Sequence, residues 1–216
     1  SSSYFFSGFS SIKYSTGYIL FLNFLASKEY KKFILATIPY FLGWLIYSFY
    51  TNSDPLVNFF EPFRWFLRLS YERQAIDLYT LGELYLSFKN NILYKSLLIL
   101  LIFLINFFVL TKINKIKDDF LKMSLVFICP LIFFPHSNYD YVLLLPLACY
   151  SLHNFEKFIN KINFYFVIYI FFFNRIFKHL LDLDWLYKPV LLLALVFVLI
   201  FNIKIYLKTN PMLTNV

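Results

Sequence analysis

The chain has 216 residues, of which 60% are hydrophobic and 15% charged, with a formal net charge of +8 and a mean hydropathy of +0.65. This composition excludes an ordinary soluble domain and predicts an integral membrane protein. The Lys and Arg residues lie in short islands between apolar runs, which argues against a nucleic-acid partner and indicates that the charge sets orientation in the membrane. The sequence contains no P-loop, dinucleotide-binding or metal-ligand motif, so we expect neither a cofactor nor a metal ion.

Seven apolar runs bounded by charged residues predict the secondary structure. A transmembrane helix needs about 20 apolar residues, and membrane strands would show an alternation that these runs lack. In chain order the runs comprise residues 14–26, 33–50, 92–110, 121–134, 141–152, 162–173 and 189–203. They predict an all-α, polytopic integral membrane helical bundle of about seven transmembrane helices, forming a single domain over residues 1–216. Because the chain begins with Ser and shows no signal peptide, we expect it to be the C-terminal part of a longer protein.

Lysines are concentrated in alternate links between the runs and at the C-terminus, and such basic links are cytoplasmic in membrane proteins. These lysines are Lys28, Lys31, Lys32, Lys112, Lys115, Lys117, Lys122, Lys157, Lys161, Lys204 and Lys208. The extracytoplasmic side then carries eight of the twelve acidic residues, namely Asp54, Glu61, Glu72, Asp77, Glu83, Asp140, Asp182 and Asp184. We therefore expect a multi-pass protein of the plasma (inner) membrane with its polar site on the extracytoplasmic side.

The segment 51–91 is too polar to span a membrane, yet it is patterned. Asp54 and Glu61 are each followed by a proline, and an acidic residue before proline is typical of a helix start. Beyond them Arg64, Arg68 and Glu72 recur every four residues and share one helical face among aromatic residues. The pattern predicts an amphipathic helix lying in the extracytoplasmic membrane interface.

The basic residues on this side are candidates for binding a lipid phosphate. Arg64, Arg68 and Arg73 could hold one, because a guanidinium group matches phosphate oxygens bidentately. Alternatively, they extend toward lipid headgroups or pair with neighbouring carboxylates. Lys13, just ahead of the first run, could also neutralise a lipid phosphate, although a single interfacial lysine can serve only as an anchor.

The stretch FFPHSNYDYVLLLPL, residues 133–147, places polar side chains between two apolar runs. Between Lys122 and Glu156, both assigned to the cytoplasmic side, 33 residues must cross the membrane and return. With a turn of about four residues, each leg keeps about 14 residues, or ~22 Å of helix. Because the bilayer core is ~30 Å thick, the turn is expected to stop below the far membrane surface.

A polar turn at that depth is tolerated inside protein or beside a water-filled cavity, and an ionisable residue there is a candidate functional residue. The candidates are His136 and Asp140 for catalysis and Asn138 for substrate binding. The alternative interpretation is that Pro135 ends one helix, while Ser137 or Asn138 caps the next with Asp140 in its first turn.

Two stretches, SSIKYSTGYILFLNFLASKEYKKFILATIPY and FFPHSNYDYVLLLPLACYSL, resemble the polytopic glycosyltransferases of family 87 over residues 10–152. By this resemblance Lys13 corresponds to the family's lysine, and His136, Tyr139 and Asp140 correspond to its later polar motif. The resemblance implies the membrane glycosyltransferase fold called GT-C. It also implies transfer of a hexose, often mannose, from a polyprenyl-phosphate carrier to a glycan or glycolipid acceptor on the extracytoplasmic side. Such enzymes place their main catalytic acid in an early loop, which would lie upstream of Ser1, so we expect this chain alone to be inactive.

Two other functions fit the same residues. A transporter or lipid-linked sugar flippase also uses polar groups near the bilayer midplane. It would show a polar path reaching both faces, whereas the apolar residues Cys149 and Leu152 and the apolar inner ends of the runs favour a one-sided site. A non-catalytic membrane scaffold would use every polar group as a cap, an anchor or an ion pair. Membrane lipids are expected partners in each case.

Overall fold

The computed structural model describes residues 14–57, 77–79, 92–134, 138–180 and 184–208. Within these ranges the chain is helical and contains no β-strand, as the sequence predicts. Each of the seven predicted apolar runs lies on helix, apart from Phe134 at the end of the fourth. The helices are α1 (Tyr14–Ala26), α2 (Tyr30–Tyr50), α3 (Ile92–Ile113), α4 (Asp119–Phe133), a 3₁₀ helix (Asn138–Leu144), α5 (Leu145–His153), α6 (Phe158–Leu180) and α7 (Asp184–Lys208).

Among the described helices, three have the length and hydropathy to cross a membrane. They are α2, most of α3 and the part of α7 from Pro189 to Tyr206. In α6 the apolar stretch is shorter and comprises Phe158–Phe171. The described parts of α1, α4 and α5 have 13, 15 and 9 residues, whereas a full span needs about 20. Membrane-type helices are therefore present, and the total of seven spans stays a prediction.

Helix α4 forms the centre of the bundle. It packs against α1, α3, α5, α7 and the 3₁₀ helix. Ten of its residues are buried, including the consecutive residues Ser124, Leu125 and Val126. A helix buried on every side must be apolar all round, which explains why its sequence lacks a polar face. In contrast, α2 and α3 expose many large apolar side chains, such as Ile46 and Leu100, on surfaces suited to lipid.

Pairs of asparagines join helices inside this apolar core. Asn163 on α6 and Asn202 on α7 exchange two hydrogen bonds of 2.9 Å between their side-chain amides. Just after the end of α3, Asn114 donates to Asn23 of α1 at 3.0 Å. Since the surroundings offer few other partners to an amide, such bonds hold neighbouring helices in a fixed register.

The polar segment 51–91 is described at residues 51–57 and 77–79. Its predicted start is confirmed, because Leu56 N–H donates to Asp54 Oδ1 at 2.8 Å and residues 55–57 are helical. The arginine-rich part of the predicted interfacial helix lies outside the described residues. Farther along, Asp77 and Tyr79 are both fully buried, and Leu78 packs on the core. An interfacial helix does not account for residues 77–79, because a side chain in the interface keeps contact with headgroups or water.

The link between α3 and α4 ends in a capping residue. Asp118 Oδ1 accepts a hydrogen bond of 3.0 Å from Leu121 N–H at the start of α4. The Tyr150 hydroxyl lies 3.1 Å from the hydroxyl of Tyr206, and it interacts electrostatically with the Asp118 carboxylate. These contacts connect the beginning of α4 with α5 and α7.

Replacement of Asp118 by Ala is expected to lower the free energy of unfolding by about 1 kcal/mol, because the first turn of α4 loses its cap. Asp118→Asn keeps an oxygen acceptor and should lose less. Denaturant unfolding of the protein in lipid bicelles measures the difference. Asp119→Ala is the control, since Asp119 pairs with Lys122 in solvent, where an ion pair contributes little. Equal losses for Asp118→Ala and Asp118→Asn would contradict the capping role.

Candidate functional site

The predicted site residues are only partly described. Asp140 is described in full, and the backbones of Asn138 and Tyr139 lie in the 3₁₀ helix. The other predicted site residues lie outside the described residues, and they are Lys13, Arg64, Arg68, Arg73 and His136.

Asp140 lies in the first turn of the 3₁₀ helix that follows the turn. This helix packs against α4, α5 and α6, and only 3% of the Asp140 surface is exposed. The alternative interpretation placed Asp140 in the first turn of a helix, and the structure agrees with that placement. Capping by itself, however, does not require burial, and removing a carboxylate from water is costly unless other groups compensate. Asp140 is therefore an interior carboxylate as well as a residue of a helix start.

The helix that precedes the turn, α4, is short, as the sequence predicts. Helix α4 has 15 residues, which corresponds to ~22 Å. It ends at Phe133, after which Phe134 adopts an extended conformation. The Phe134 ring then packs edge-on against Tyr18 of α1, with ring centroids 4.8 Å apart, and lies 5.0 Å from the ring of Phe103 on α3. The beginning of the turn thus rests on α1 and α3.

Tyr18 connects this aromatic contact to a buried polar group. Asn106 of α3 donates through Nδ2 to the Tyr18 hydroxyl at 2.8 Å. Asn106 is fully buried, and its Oδ1 has no hydrogen-bond partner in the described part of the chain. A buried amide oxygen without a partner costs roughly 1–3 kcal/mol. Asn106 precedes the end of α3 at Ile113 by seven residues, or ~10 Å, which places it in the membrane-depth part of the helix.

A second interior carboxylate lies within electrostatic range of the same tyrosine. Asp77 is fully buried, and its charge is within electrostatic range of the Tyr18 hydroxyl. The sequence predicts Asp77 only as one of the extracytoplasmic acidic residues and not as a site residue. The stretch AIDLYTL, in which one carboxylate interrupts an apolar run, carries the same pattern as the turn at 133–147 and could have indicated it.

The described residues bring together polar groups that the sequence did not indicate as neighbours. The described contacts join Phe134 to Tyr18, and Tyr18 to Asn106 and Asp77. We call Tyr18, Asn106 and Asp77 the tyrosine cluster. Asp140 lies on the next helical segment of the chain after the turn. Within the described ranges, His, Cys, Asp and Glu side chains form no group of three or more that could hold a metal ion.

Comparison of the chain with protein-family models, with curated proteins and with solved structures finds no match. Its class is therefore defined by the described residues themselves. They form an all-helical protein with three apolar helices that can cross a membrane. Two interior carboxylates, Asp77 and Asp140, distinguish its core.

Proposed function

We propose that the protein is a membrane glycosyltransferase that moves a hexose from a polyprenyl-phosphate carrier to an acceptor on the extracytoplasmic side. The burial of Asp140 carries this proposal. A carboxylate held inside a membrane helix bundle marks a functional site by default, because lipid-facing or purely structural positions select apolar residues. Asp140 also lies in the stretch that resembles the later motif of family 87 glycosyltransferases.

The predicted residues have two proposed roles, which are binding of the carrier phosphate and positioning of the sugar or acceptor. Glycosyl transfer from a lipid phosphate needs cations beside the leaving phosphate and a carboxylate near the sugar or the acceptor. Arg64 and Arg68 are proposed to bind the carrier phosphate, with Arg73 and Lys13 as further cations at the same membrane face. Asp140 and His136 would position the sugar or the acceptor hydroxyl, with Asn138 and Tyr139 beside them.

An assay with the full-length protein tests this function. Proteoliposomes receive radiolabelled polyprenyl-phosphate mannose and a glycolipid acceptor, and transfer of label is measured. Arg68→Ala is expected to reduce kcat/KM about tenfold or more, because one charge-assisted phosphate contact is lost. Arg68→Lys should lose less, since lysine keeps the charge without the bidentate geometry.

The control variant is Lys161→Ala, which removes a lysine from the predicted cytoplasmic face and should leave transfer unchanged. Absence of transfer by the wild-type protein with several carrier-linked hexoses would overturn the proposal. Equal rates for wild type and Arg68→Ala, at matched expression, would show that Arg68 does not bind the carrier phosphate.

A transporter or lipid-linked sugar flippase is the second candidate, and one observation favours it. A buried polar side chain also occurs near the helix ends that are predicted to be cytoplasmic, where Asn23 pairs with the partly buried Asn114. Moreover, Cys149 and Leu152 are exposed on the outside of the bundle, so their apolar character does not describe its interior. Movement of a lipid-linked sugar between leaflets, without any change in its covalent structure, would identify this function. Inactivity in both assays would leave the non-catalytic scaffold.

A further inference from the structure

The tyrosine cluster contains one hydrogen-bond donor and one acceptor that have no partner among the described residues. Asn106 Nδ2 donates to the Tyr18 oxygen, so the Tyr18 hydroxyl hydrogen is available to another acceptor. Among the described residues no acceptor takes it, and Asn106 Oδ1 has no donor. One donor and one acceptor are thus left over at neighbouring positions in the core. Native proteins satisfy nearly all such buried groups, so this pair requires a partner.

We propose that the tyrosine cluster is a binding site for an alcohol hydroxyl group of a ligand. A hydroxyl accepts one hydrogen bond and donates another, so a single group can accept from Tyr18 and donate to Asn106 Oδ1. Asp77 supplies negative charge within electrostatic range of Tyr18, and this charge favours the ligand's donor hydrogen. The proposal does not depend on glycosyl transfer, because a transporter or a lipid-binding protein could hold the same group.

Other ligand groups fit the cluster less well. A phosphate or carboxylate would be repelled by Asp77 and has no hydrogen for Asn106 Oδ1. An ammonium group has donors only and leaves the Tyr18 hydrogen without an acceptor. A ligand hydroxyl also fits if the Asn106 amide is rotated so that its nitrogen and oxygen exchange places. In that orientation the amide nitrogen, instead of the oxygen, is left without a partner. The hydroxyl oxygen then accepts from that nitrogen.

The position of the cluster is suited to a ligand that enters from the turn. Tyr18 as a whole residue is partly buried, while its hydroxyl and Asn106 Oδ1 lie inside the bundle. The Tyr18 ring contacts Phe134, the residue at which the chain leaves α4 for the turn. A ligand bound near Asp140 and the turn could therefore place a hydroxyl group against Tyr18.

A fluorine label at the tyrosine reports binding directly. The full chain is prepared with 3-fluorotyrosine at position 18 and inserted into lipid nanodiscs. Methyl α-mannoside in the buffer and a polyprenol in the lipid are titrated separately, and the ¹⁹F chemical shift is recorded. Tetrahydropyran and squalene are the corresponding compounds without a hydroxyl group. The proposal predicts a saturable shift with at least one hydroxyl probe and none with its control, and the responding probe shows whether the alcohol is a sugar or a lipid.

Two variants test the assigned residues. Asn106→Leu is expected to weaken the apparent affinity at least tenfold, and Asp77→Asn at least threefold. The matched control is Asn23→Leu, which changes an amide pair between α1 and the residue just after α3, away from Tyr18, and should keep the wild-type affinity.

The proposal is overturned by several clear results. One is the lack of a saturable shift with both hydroxyl probes, which would leave a water molecule as the partner of the cluster. Another is an equal shift with tetrahydropyran or squalene. Wild-type affinity in Asn106→Leu also overturns it, and if that variant does not fold, wild-type affinity in Asp77→Asn does so. None of these results bears on glycosyl transfer, which the proteoliposome assay measures separately.

Discussion

Replacement of Asp140 by Asn is expected to reduce glycosyl transfer by the full-length protein about a hundredfold or more, the usual effect of losing a positioned acid or base. Asn has nearly the same shape as Asp and is also accepted at helix starts, so the 3₁₀ helix should persist. What is lost is the negative charge of a side chain that is almost completely buried. Because the low dielectric of the core strengthens electrostatic interactions, that charge acts strongly on a bound substrate.

Transfer from polyprenyl-phosphate mannose in proteoliposomes measures the effect, with expression and thermal stability compared in parallel. Asp54→Asn is the matched control, since Asp54 is an exposed carboxylate that caps a helix start on the same predicted membrane side. It should transfer at the wild-type rate. If Asp140→Asn transfers normally while folding normally, Asp140 belongs only to the helix start.

The largest effect on stability is expected from Asn163→Leu, at about 1 to 3 kcal/mol of unfolding free energy. The substitution removes both hydrogen bonds of the reciprocal amide pair and leaves Asn202 Oδ1 buried without a donor. Asn202 Nδ2 keeps its bond of 2.7 Å to Val198 O, which limits the loss. Unfolding in lipid bicelles with increasing dodecyl sulfate measures the change.

The double variant Asn163→Leu/Asn202→Leu should recover a large part of this stability, because it removes both buried amides instead of one. Asn106→Leu provides a second comparison, since it replaces an amide whose oxygen is already unpaired in the described structure. In ligand-free protein it should cost much less than Asn163→Leu. Equal losses in the two single variants would show that satisfied and unsatisfied amides are equivalent here.

Much of the secondary structure could be predicted because helix formation in this chain depends on local hydrophobicity. Each predicted apolar run is helical apart from Phe134 at the end of the fourth, and the first ends with α1 at Ala26. Prediction was poorer for whether a segment lies in the buried core or at the surface of the bundle. Residues 77–79 belong to the polar segment 51–91, which was predicted to lie in the interface, yet they pack in the core. Local composition describes a segment's average polarity, whereas its burial depends on which helices surround it.

The candidate site was predicted only in part, for a similar reason. The turn at 133–147 could be recognised from its own sequence, because His136, Asn138 and Asp140 stand between apolar runs. The tyrosine cluster could not be recognised in this way. Tyr18 and Asn106 are 88 residues apart, and each looks unremarkable within its own helix. A single asparagine in an apolar helix predicts some interhelical contact, but it does not identify the partner.

The sequence by itself determined that the chain is helical, that several helices are apolar enough to cross a membrane, and which short stretch combines ionisable with apolar residues. These properties follow from the local order of side chains, because a helix satisfies its own backbone hydrogen bonds wherever it is placed. Only the tertiary structure decided that Asp77 is an interior residue, that Tyr18 and Asn106 meet, and that Asn163 pairs with Asn202 across 39 residues. Those facts depend on how the helices pack around α4, because buried polar groups find their partners only when the helices that carry them come together.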